Sequence, residues 1–309
     1  NRRYAAIKFI IFSLLSSLLL LVGIILLYAY MPQHTFEISY AIQNAKEMPA
    51  FAQLLVFALF LVSFMIKIPI FPFHTWLPDA HTEAPTPGSM ILAGILLKFG
   101  GYGMLLMFLM LPIALHYSLY LAILFSFSAI YAGFVTIRQG HFKRAIAYTS
   151  VVDMGIAALG ITVANPVGYA GSLYAMLSHG IVIALMFLVA GSVDESFGTL
   201  LIEKLKGIAK SMKGVSYAFL FGIFAIAGLP LTCGFVADLL IFTSVTQEFG
   251  YVFLAPLAAV AIITLFMFWL AEKMFFDVSK AIEPYSYVST IFLGIAPSLL
   301  VAPVAFVPI

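Results

Sequence analysis

The stretch Lys67-Ile-Pro-Ile-Phe-Pro72 ends one apolar run, and Ile91-Leu-Ala-Gly-Ile-Leu-Leu-Lys98-Phe-Gly-Gly-Tyr102 lies within another. Both place a lysine in surroundings that resemble a membrane interior. A charged side chain near the centre of a bilayer costs about 2.5–3.5 kcal/mol on insertion scales. A lysine in such a place reaches the membrane surface, is paired or hydrated, or has a function. Lys67 and Lys98 are therefore the first candidate functional residues.

The composition excludes an ordinary soluble domain. The 309 residues are 63% hydrophobic and 9% charged, with a mean hydropathy of +1.12. Apolar runs of about 20 residues, the length that crosses hydrocarbon as a helix, recur along the chain. We therefore predict an all-α polytopic membrane protein with about nine transmembrane helices. The predicted spans are 6–30, 51–68, 88–111, 116–137, 143–163, 167–192, 215–246, 250–272 and 286–307.

Two of the predicted spans are interrupted, the second at Lys67–Pro72 and the seventh at Gly228–Gly234. Proline removes a backbone donor and clashes with the preceding turn. The carbonyl groups freed in this way need other partners, so broken helices line cavities in membrane proteins. A pair of interrupted helices is typical of inverted-repeat transporters. The alternative is a plain proline kink in each span.

Positive charge lies on one side of the predicted membrane topology. With alternating spans, one side receives twelve of the fifteen Lys and Arg residues, the other receives Lys46, and two are intramembrane, since 12 + 1 + 2 = 15. The rich side is expected to be cytoplasmic, which predicts a multi-pass protein of the cell (inner) membrane. The charged run Asp194–Lys213 is predicted to be a solvated, partly helical connector. The twelve residues are Arg2, Arg3, Lys8, Arg138, Lys143, Arg144, Lys204, Lys206, Lys210, Lys213, Lys273 and Lys280.

Five ionisable residues in apolar context form a candidate route for protons: Lys67, Lys98, Asp153, His179 and Asp238. A desolvated lysine gains or loses its charge when a nearby carboxylate or its proton moves, so it can take up and release a proton. Each residue also has a structural explanation. Lys67 could extend to the interface, His179 could be a satisfied core residue, and Asp238 could cap the second half of its broken helix.

The remaining polar residues do not predict a cofactor site. Cys233 is the single cysteine, whereas disulfide frameworks, zinc sites and iron–sulfur clusters need several thiols. His74, Asp79, His81 and Glu83 share one short segment, but their spacing does not fit a zinc site and the prolines around them favour a rigid, extended connector. We therefore expect no cofactor and no metal in this chain.

The motifs identify a family. The stretch Lys67-Ile-Pro-Ile-Phe-Pro-Phe-His-Thr-Trp-Leu-Pro-Asp-Ala-His-Thr-Glu-Ala-Pro-Thr-Pro-Gly-Ser89, followed by Leu92-Ala-Gly-Ile-Leu-Leu-Lys98, closely resembles the antiporter-like proton-pumping subunits of respiratory complex I. Lys143-Arg-Ala-Ile-Ala-Tyr-Thr-Ser150, Ser178-His-Gly180 and Gly228-Leu-Pro230 agree with the resemblance, which runs essentially from end to end. Within the family, the residues Leu92–Leu97 before Lys98 and the acidic residue at position 238 resemble the chain M branch more than the L and N branches.

The resemblance implies a fourteen-helix fold with two inverted five-helix repeats, each containing one broken helix. Residues 1–112 would be the C-terminal part of the first repeat, 113–275 the second repeat, and 276–309 a C-terminal transmembrane helix. The five helices that open the family's fold have no counterpart here, and they carry the glutamate that pairs with the switching lysine. We therefore expect a fragment of a longer protein, or a truncated member of the family.

The resemblance also implies a role for each candidate residue. Lys67 would be the switching lysine, Lys98 the connecting lysine, His179 part of the central polar axis and Asp238 the terminal proton-release residue. Chain M members normally have glutamate at the position of Asp238. Histidine is common at the position of Asp153, whose role as a relay is therefore an expectation from its surroundings.

For the whole molecule, the resemblance implies a subunit that couples electron transfer elsewhere in an NADH:quinone oxidoreductase to proton pumping. Flavin, iron–sulfur clusters and quinone are expected in partner subunits. The expected partners are the other membrane subunits, indirectly the redox arm, the lipid bilayer and protons, but not nucleic acid. The alternatives are a subunit of a multi-subunit cation/proton antiporter, a subunit of a membrane-bound hydrogenase, and a member that only bridges its neighbours.

Overall fold

The computed structural model describes residues 2–277, and this part of the chain is helical apart from turns and one isolated β-bridge between His141 and Leu201. The predicted all-α class is confirmed. The α-helices are α1 Arg2–Tyr30, α2 Ile38–Asn44, α3 Ala50–Lys67, α4 Trp76–Glu83, α5 Thr86–Ile91, α6 Leu97–Met110, α7 Ile113–His116, α8 Ser118–Ile137, α9 Phe142–Thr162, α10 Pro166–Phe197, α11 Ile208–Ser211, α12 Lys213–Ile226, α13 Cys233–Phe249 and α14 Leu254–Leu270.

Seven helical segments are long and apolar enough to cross a membrane, and α12 is a shorter apolar helix. Each of the first six predicted spans contains one of these segments, and the seventh and eighth share the last one. The seventh is the broken pair α12 and α13, and α13 continues through a 3₁₀ turn into α14 as one helical run, Cys233–Phe276. The ninth predicted span, 286–307, lies outside the described residues.

Helix α9 is the centre of the molecule and α1 lies at its edge. The most apolar window of α9 is 94% buried, whereas that of α1 is 17% buried. Helices α4, α6, α8, α10 and α13 all pack against α9. The polar residues that α9 carries are therefore enclosed by protein rather than lipid.

Serine side chains join α1 to α3 at the edge of the bundle. Ser16 Oγ donates to the Ser63 carbonyl oxygen at 3.0 Å, and Ser63 Oγ donates to the Ser16 carbonyl oxygen at 2.8 Å. About two turns after Ser16 on α1, Gly23 lies so close to the ring of Phe60 that an added Cβ would be 2.5 Å from it. Small residues and interhelical hydrogen bonds are the usual means of helix association in membranes.

The first predicted break is confirmed, since α3 ends at Lys67. The backbone beyond it is satisfied by side chains from other elements. Trp76 Nε1 donates to the Ile66 carbonyl oxygen at 3.0 Å, and Ser128 Oγ on α8 accepts from the Phe71 amide at 2.9 Å. The break is therefore a built feature of the fold and not a local kink.

The segment after this break corrects one expectation. Residues 76–83 form helix α4, whereas the prolines predicted a rigid, extended connector. Pro78 is the third residue of α4, and proline is tolerated in the first turn of a helix because the amide groups there have no intrahelical partner. The same reasoning applies to Pro87 in the first turn of α5.

The second predicted break is also confirmed. Helix α12 ends at Ile226 and α13 begins at Cys233. Gly228 has φ +61°, a left-handed conformation that glycine adopts without strain. Gly234 lies so close to the carbonyl oxygen of Ala225 that an added Cβ would be 2.3 Å from it. Glycine at both positions therefore allows the two half-helices to meet.

A third irregularity was not predicted. Between α5 and α6 the helix widens into a π segment, Leu92–Leu96, immediately before the turn that carries Lys98. Insertions of this kind are rare and frequently occur at functional sites. The predicted span 88–111 is therefore one long helix with a local defect in its middle.

Several charged residues on the side of the predicted topology that is rich in Lys and Arg have specific partners. Lys143, expected only to set topology, is buried and donates to the Ala84 carbonyl oxygen. Asp79 accepts from Lys8 at 2.7 Å and pairs with Arg144 at 3.1 Å, so it ties α1, α4 and α9 together.

The charged run Asp194–Lys213 is partly helical, as predicted: α10 reaches Phe197, and α11 follows a 3₁₀ turn. This run connects α10 to α12.

Candidate functional site

Lys98 and His179 are in direct contact. Lys98 Nζ on α6 lies 2.7 Å from His179 Nδ1 on α10, and it donates to the Ala93 carbonyl oxygen at 2.6 Å. The contact depends on a close crossing of the two helices at glycine. A Cβ added to Gly180 would lie 2.9 Å from the carbonyl oxygen of Gly94 and 3.5 Å from Lys98 Cε. Lys98 is therefore held by two acceptors and does not need to extend to the membrane surface.

His179 also lines a small space, the inner cavity, of about 40 Å³. A space of about 10–15 Å³ by this measure holds one water molecule. Its ring is buried, and Nε2 has no hydrogen-bond partner in the part of the chain that the structure describes. The polar residues that line the inner cavity are Asp153, Ser178, His179 and Asp238.

Asp238 lines a second space as well. The outer cavity, of about 500 Å³, shares Asp238 and Val260 with the inner cavity. Asp238 Oδ2 lies beside Gly228, where an added Cβ would be 2.8 Å away. Asp238 therefore stands between the two spaces. The polar residues along the outer cavity on α13 are Thr243, Thr246 and Gln247.

The position of Asp238 rules out one structural explanation. It is the sixth residue of α13, and the residue at the helix N-cap position is Thr232. A side chain in the second turn does not cap the helix. The carboxyl group instead faces the cavities.

Lys67 occupies a separate place. It lines a cavity of about 140 Å³ together with Ser13, Trp76 and Phe99, and not the inner cavity. Its Cβ lies against Gly100 on α6, where an added Cβ would be 2.7 Å away. Within residues 2–277, no carboxylate forms an ion pair with Lys67. The structure thus brings Lys98, His179, Asp153 and Asp238 together and leaves Lys67, at the end of α3, in a separate cavity beside α6.

Sequence reasoning missed several residues that support the site. Trp76 and Ser128 form hydrogen bonds with the backbone groups freed at the first break. Gly94 and Gly180 allow Lys98 to reach His179. The glycines carried a readable signal, since small residues beside an ionisable residue in a span indicate close helix packing. Nothing in the local sequence indicates which distant side chain satisfies a broken helix.

The arrangement can transfer protons but does not resemble a metal centre. His179, Asp153 and Asp238 are donors and acceptors arranged around a space large enough for water, and Lys98 contacts His179 from the side. In the described ranges, no group of three or more His, Cys, Asp or Glu side chains is placed to hold a metal ion.

Comparison with known proteins gives a family and two groups of relatives. Residues 1–274 match the family model described as NADH:quinone oxidoreductase/Mrp antiporter, TM. The chain is 40% identical over 242 residues to NADH-quinone oxidoreductase subunit M of Rickettsia conorii, covering 78% of this chain and 49% of that protein. It is 40% identical over 270 residues to NAD(P)H-quinone oxidoreductase chain 4 1 of a Synechococcus strain, covering 85% and 51%. The chain thus spans about half the length of these relatives.

Solved structures agree with the sequence relatives. A chain of respiratory complex I from Thermus thermophilus with bound NADH superposes with a TM-score of 0.90 at 26% identity, over 97% of this chain and 64% of that one. A chain of the archaeal membrane-bound sulfane sulfur reductase gives 0.87 at 25%, over 96% and 62%. A chain of the Mrp complex from Dietzia shares the fold alone, with a TM-score of 0.83 at 23% identity over 93% and 53%. The chain belongs to the NADH:quinone oxidoreductase/Mrp antiporter transmembrane family.

Proposed function

We propose that the protein is a proton-translocating membrane subunit of a complex I-type quinone oxidoreductase. One observation carries the proposal: Lys98 contacts His179, and His179 lines a water-sized cavity together with Asp153 and Asp238. The family and the names of the relatives support it. Ionisable residues inside a membrane domain are expensive and are retained where they move ions or protons.

Protons move from the positively charged side toward the outer cavity in this proposal. Lys67 takes up the proton near the first break, Lys98 receives it, and His179 passes it toward Asp153 and Asp238 at the inner cavity. Asp238 then releases it to the outer cavity. The geometry supports this order. Lys67 packs against Gly100 of α6, the helix that carries Lys98, and Asp238 lines both cavities.

The energy for this movement comes from partner subunits. Moving one elementary charge against 100 mV requires about 2.3 kcal/mol. The proposal places electron transfer, with its flavin, iron–sulfur clusters and quinone, in those partners, and the protein itself in the cell membrane. It also retains the division of the chain into parts of two inverted repeats, 1–112 and 113–275, with 276–309 as a C-terminal transmembrane helix.

The second candidate is a subunit of a multi-subunit cation/proton antiporter. The matching family includes Mrp antiporters, and a chain of the Mrp complex shares the fold. Identification of the chains that co-purify with the native protein distinguishes the two. Flavin- and iron–sulfur-binding subunits support the redox-driven pump, whereas membrane subunits without a redox arm support the antiporter.

The substitution Lys67→Ala in the native complex tests the proposal directly. We expect the complex to assemble and to reduce quinone, with a ratio of protons moved to electrons transferred that falls strongly. Lys46→Ala, which changes an exposed lysine at the opposite end of the spans, is the control and should leave the ratio unchanged. A normal ratio in Lys67→Ala would contradict the proposal.

A further inference from the structure

Two carboxyl groups face one small space from different helices. Asp153 on α9 and Asp238 on α13 both line the inner cavity. The other titratable residue that lines this space is His179 on α10. The surrounding surface is otherwise apolar except for Ser178, so it offers little stabilisation for two negative charges. Two carboxylates that share a site of low polarity do not both ionise readily.

Lys98 supplies one positive charge beside this space. Its two hydrogen-bond acceptors, the Ala93 carbonyl oxygen and His179 Nδ1, carry no formal charge. When Lys98 is charged, its ammonium group donates to Nδ1, and the ring proton of a neutral His179 is then on Nε2. Asp153 lines the inner cavity beside His179, the histidine that Lys98 contacts. In the part of the chain described, no carboxylate oxygen lies within 4 Å of Lys98 Nζ. A carboxylate that balances the positive charge of Lys98 therefore acts across His179 and the inner cavity.

We infer that Asp153 and Asp238 form a proton-sharing carboxyl pair across the inner cavity, and that the single negative charge of the pair is the counter-ion of Lys98. The inference concerns the site of the proposed proton path and rests on that proposal for its functional meaning. It gives Asp153 a role that an uncharged side chain at this position would not have, because a neutral group cannot balance a charged lysine.

The transfer step conserves protons and leaves the site neutral at both ends. Before it, Lys98 is an ammonium and the pair holds one proton, so the charges +1 and −1 cancel. Lys98 loses one proton to His179 Nδ1 as Nε2 gives its proton to a carboxylate of the pair. Afterwards Lys98 is a neutral amine, both carboxyl groups are protonated, and His179 is again neutral in its other tautomer.

The next step restores the charge. Asp238 releases one proton to the outer cavity, and the pair again carries one negative charge. This charge favours the return of a proton to Lys98 from the Lys67 side. A cycle of this kind never places more than one uncompensated charge in the site, which keeps the cost of desolvation low.

Infrared difference spectroscopy on the native complex tests the pair. The carbonyl stretch of a protonated carboxyl group, recognised by its shift in D₂O, should be present in the wild type. The variants Asp153→Asn and Asp238→Asn should each lose this band completely, because a single remaining carboxyl group beside Lys98 ionises. Loss of only part of the band in each variant, or an unchanged band in Asp153→Asn, would overturn the inference.

Two further variants keep the test decisive. Glu248→Gln removes an exposed carboxyl group near the end of α13 and should leave the band unchanged. Asp153→His, which replaces the carboxyl group by a polar ring, should remove the band even where Asp153→Asn disturbs folding. The infrared spectra do not depend on pumping, so they test the carboxyl pair separately from the proposed function. A normal proton-to-electron ratio in Lys67→Ala would contradict the proposed function, whereas the carbonyl band alone decides whether the pair exists.

Discussion

At the scale of single residues, the contact between Lys98 and His179 depends on the lack of a side chain at Gly180. The substitution Gly180→Ala would place a methyl group 2.9 Å from the Gly94 carbonyl oxygen and 3.5 Å from Lys98 Cε. We expect α6 and α10 to separate slightly, with a loss of about 1–3 kcal/mol in stability, the usual cost of overpacking. The proton-to-electron ratio should fall as well, because Lys98 no longer reaches His179.

The control for this substitution is Gly140→Ala. Gly140 has no heavy atom within 4 Å of an added Cβ, so its replacement should change neither the thermal stability of the complex nor the ratio. Equal behaviour of the two variants would show that the helix crossing at Gly180 has no role in the contact.

Trp76 gives a second test at this scale. Its indole N–H donates to the Ile66 carbonyl oxygen beside the break, and Trp76→Phe keeps the aromatic bulk but removes the donor. A buried carbonyl group left without a partner costs about 1–3 kcal/mol, so the variant should unfold at a lower temperature. Trp269→Phe, at a side chain that is 44% exposed, should have little effect. A shift of similar size in both would indicate lost ring packing as the cause.

The sequence predicted individual ionisable residues better than their partners. Lys98, Asp153, His179 and Asp238 stand out because charges are rare in apolar spans. The structure places Asp153, His179 and Asp238 around one cavity, with Lys98 in contact with His179. Their proton-transfer roles stay predictions. The supporting contacts could not be predicted because they join positions far apart in the chain: Ser128 and the Phe71 amide are 57 residues apart.

At the scale of helices, the second break depends on a backbone conformation and on a carboxyl group. Gly228 has φ +61°, and a methyl group there would also meet Asp238 Oδ2. We expect Gly228→Ala to strain the backbone by about 1–2 kcal/mol and to displace Asp238, so that proton translocation falls more than stability alone explains.

Gly250→Ala is the matched control for the break. Gly250 also has a positive φ, +60°, but open space surrounds its missing Cβ. It should therefore show the loss of stability without the loss of proton translocation. If both variants lower the proton-to-electron ratio equally, the position of Asp238 beside Gly228 is not what matters.

Helices were predictable where composition alone decides them. Both breaks were found from glycine and proline, and α3 ends at Lys67, within one residue of its predicted end. The connector that became α4 was misjudged because proline was taken as a helix breaker, although Pro78 lies in the first turn. The π segment Leu92–Leu96 was not predicted because it contains no proline that would mark an irregular helix.

At the scale of the whole molecule, the distribution of Lys and Arg predicts which ends of the helices face the cytoplasm. Cysteine introduced at Lys46 and at Lys204 tests this, because both positions are exposed and the native thiol, Cys233, is buried. A membrane-impermeant maleimide should label Lys46→Cys from the outside of intact cells, and Lys204→Cys only in inverted vesicles. Labelling of both from one side would refute the predicted topology.

Asp238 has one more consequence for the molecule as a whole. Asp238 and Val260 line both the inner and the outer cavity, and in the proposed pump a continuous file of water from Lys67 to the outside would short-circuit the membrane potential. In that pump, the insulation of the membrane at this point is one layer of side chains thick. A smaller residue at position 238 would be expected to make the complex passively leaky to protons even with no electron donor present.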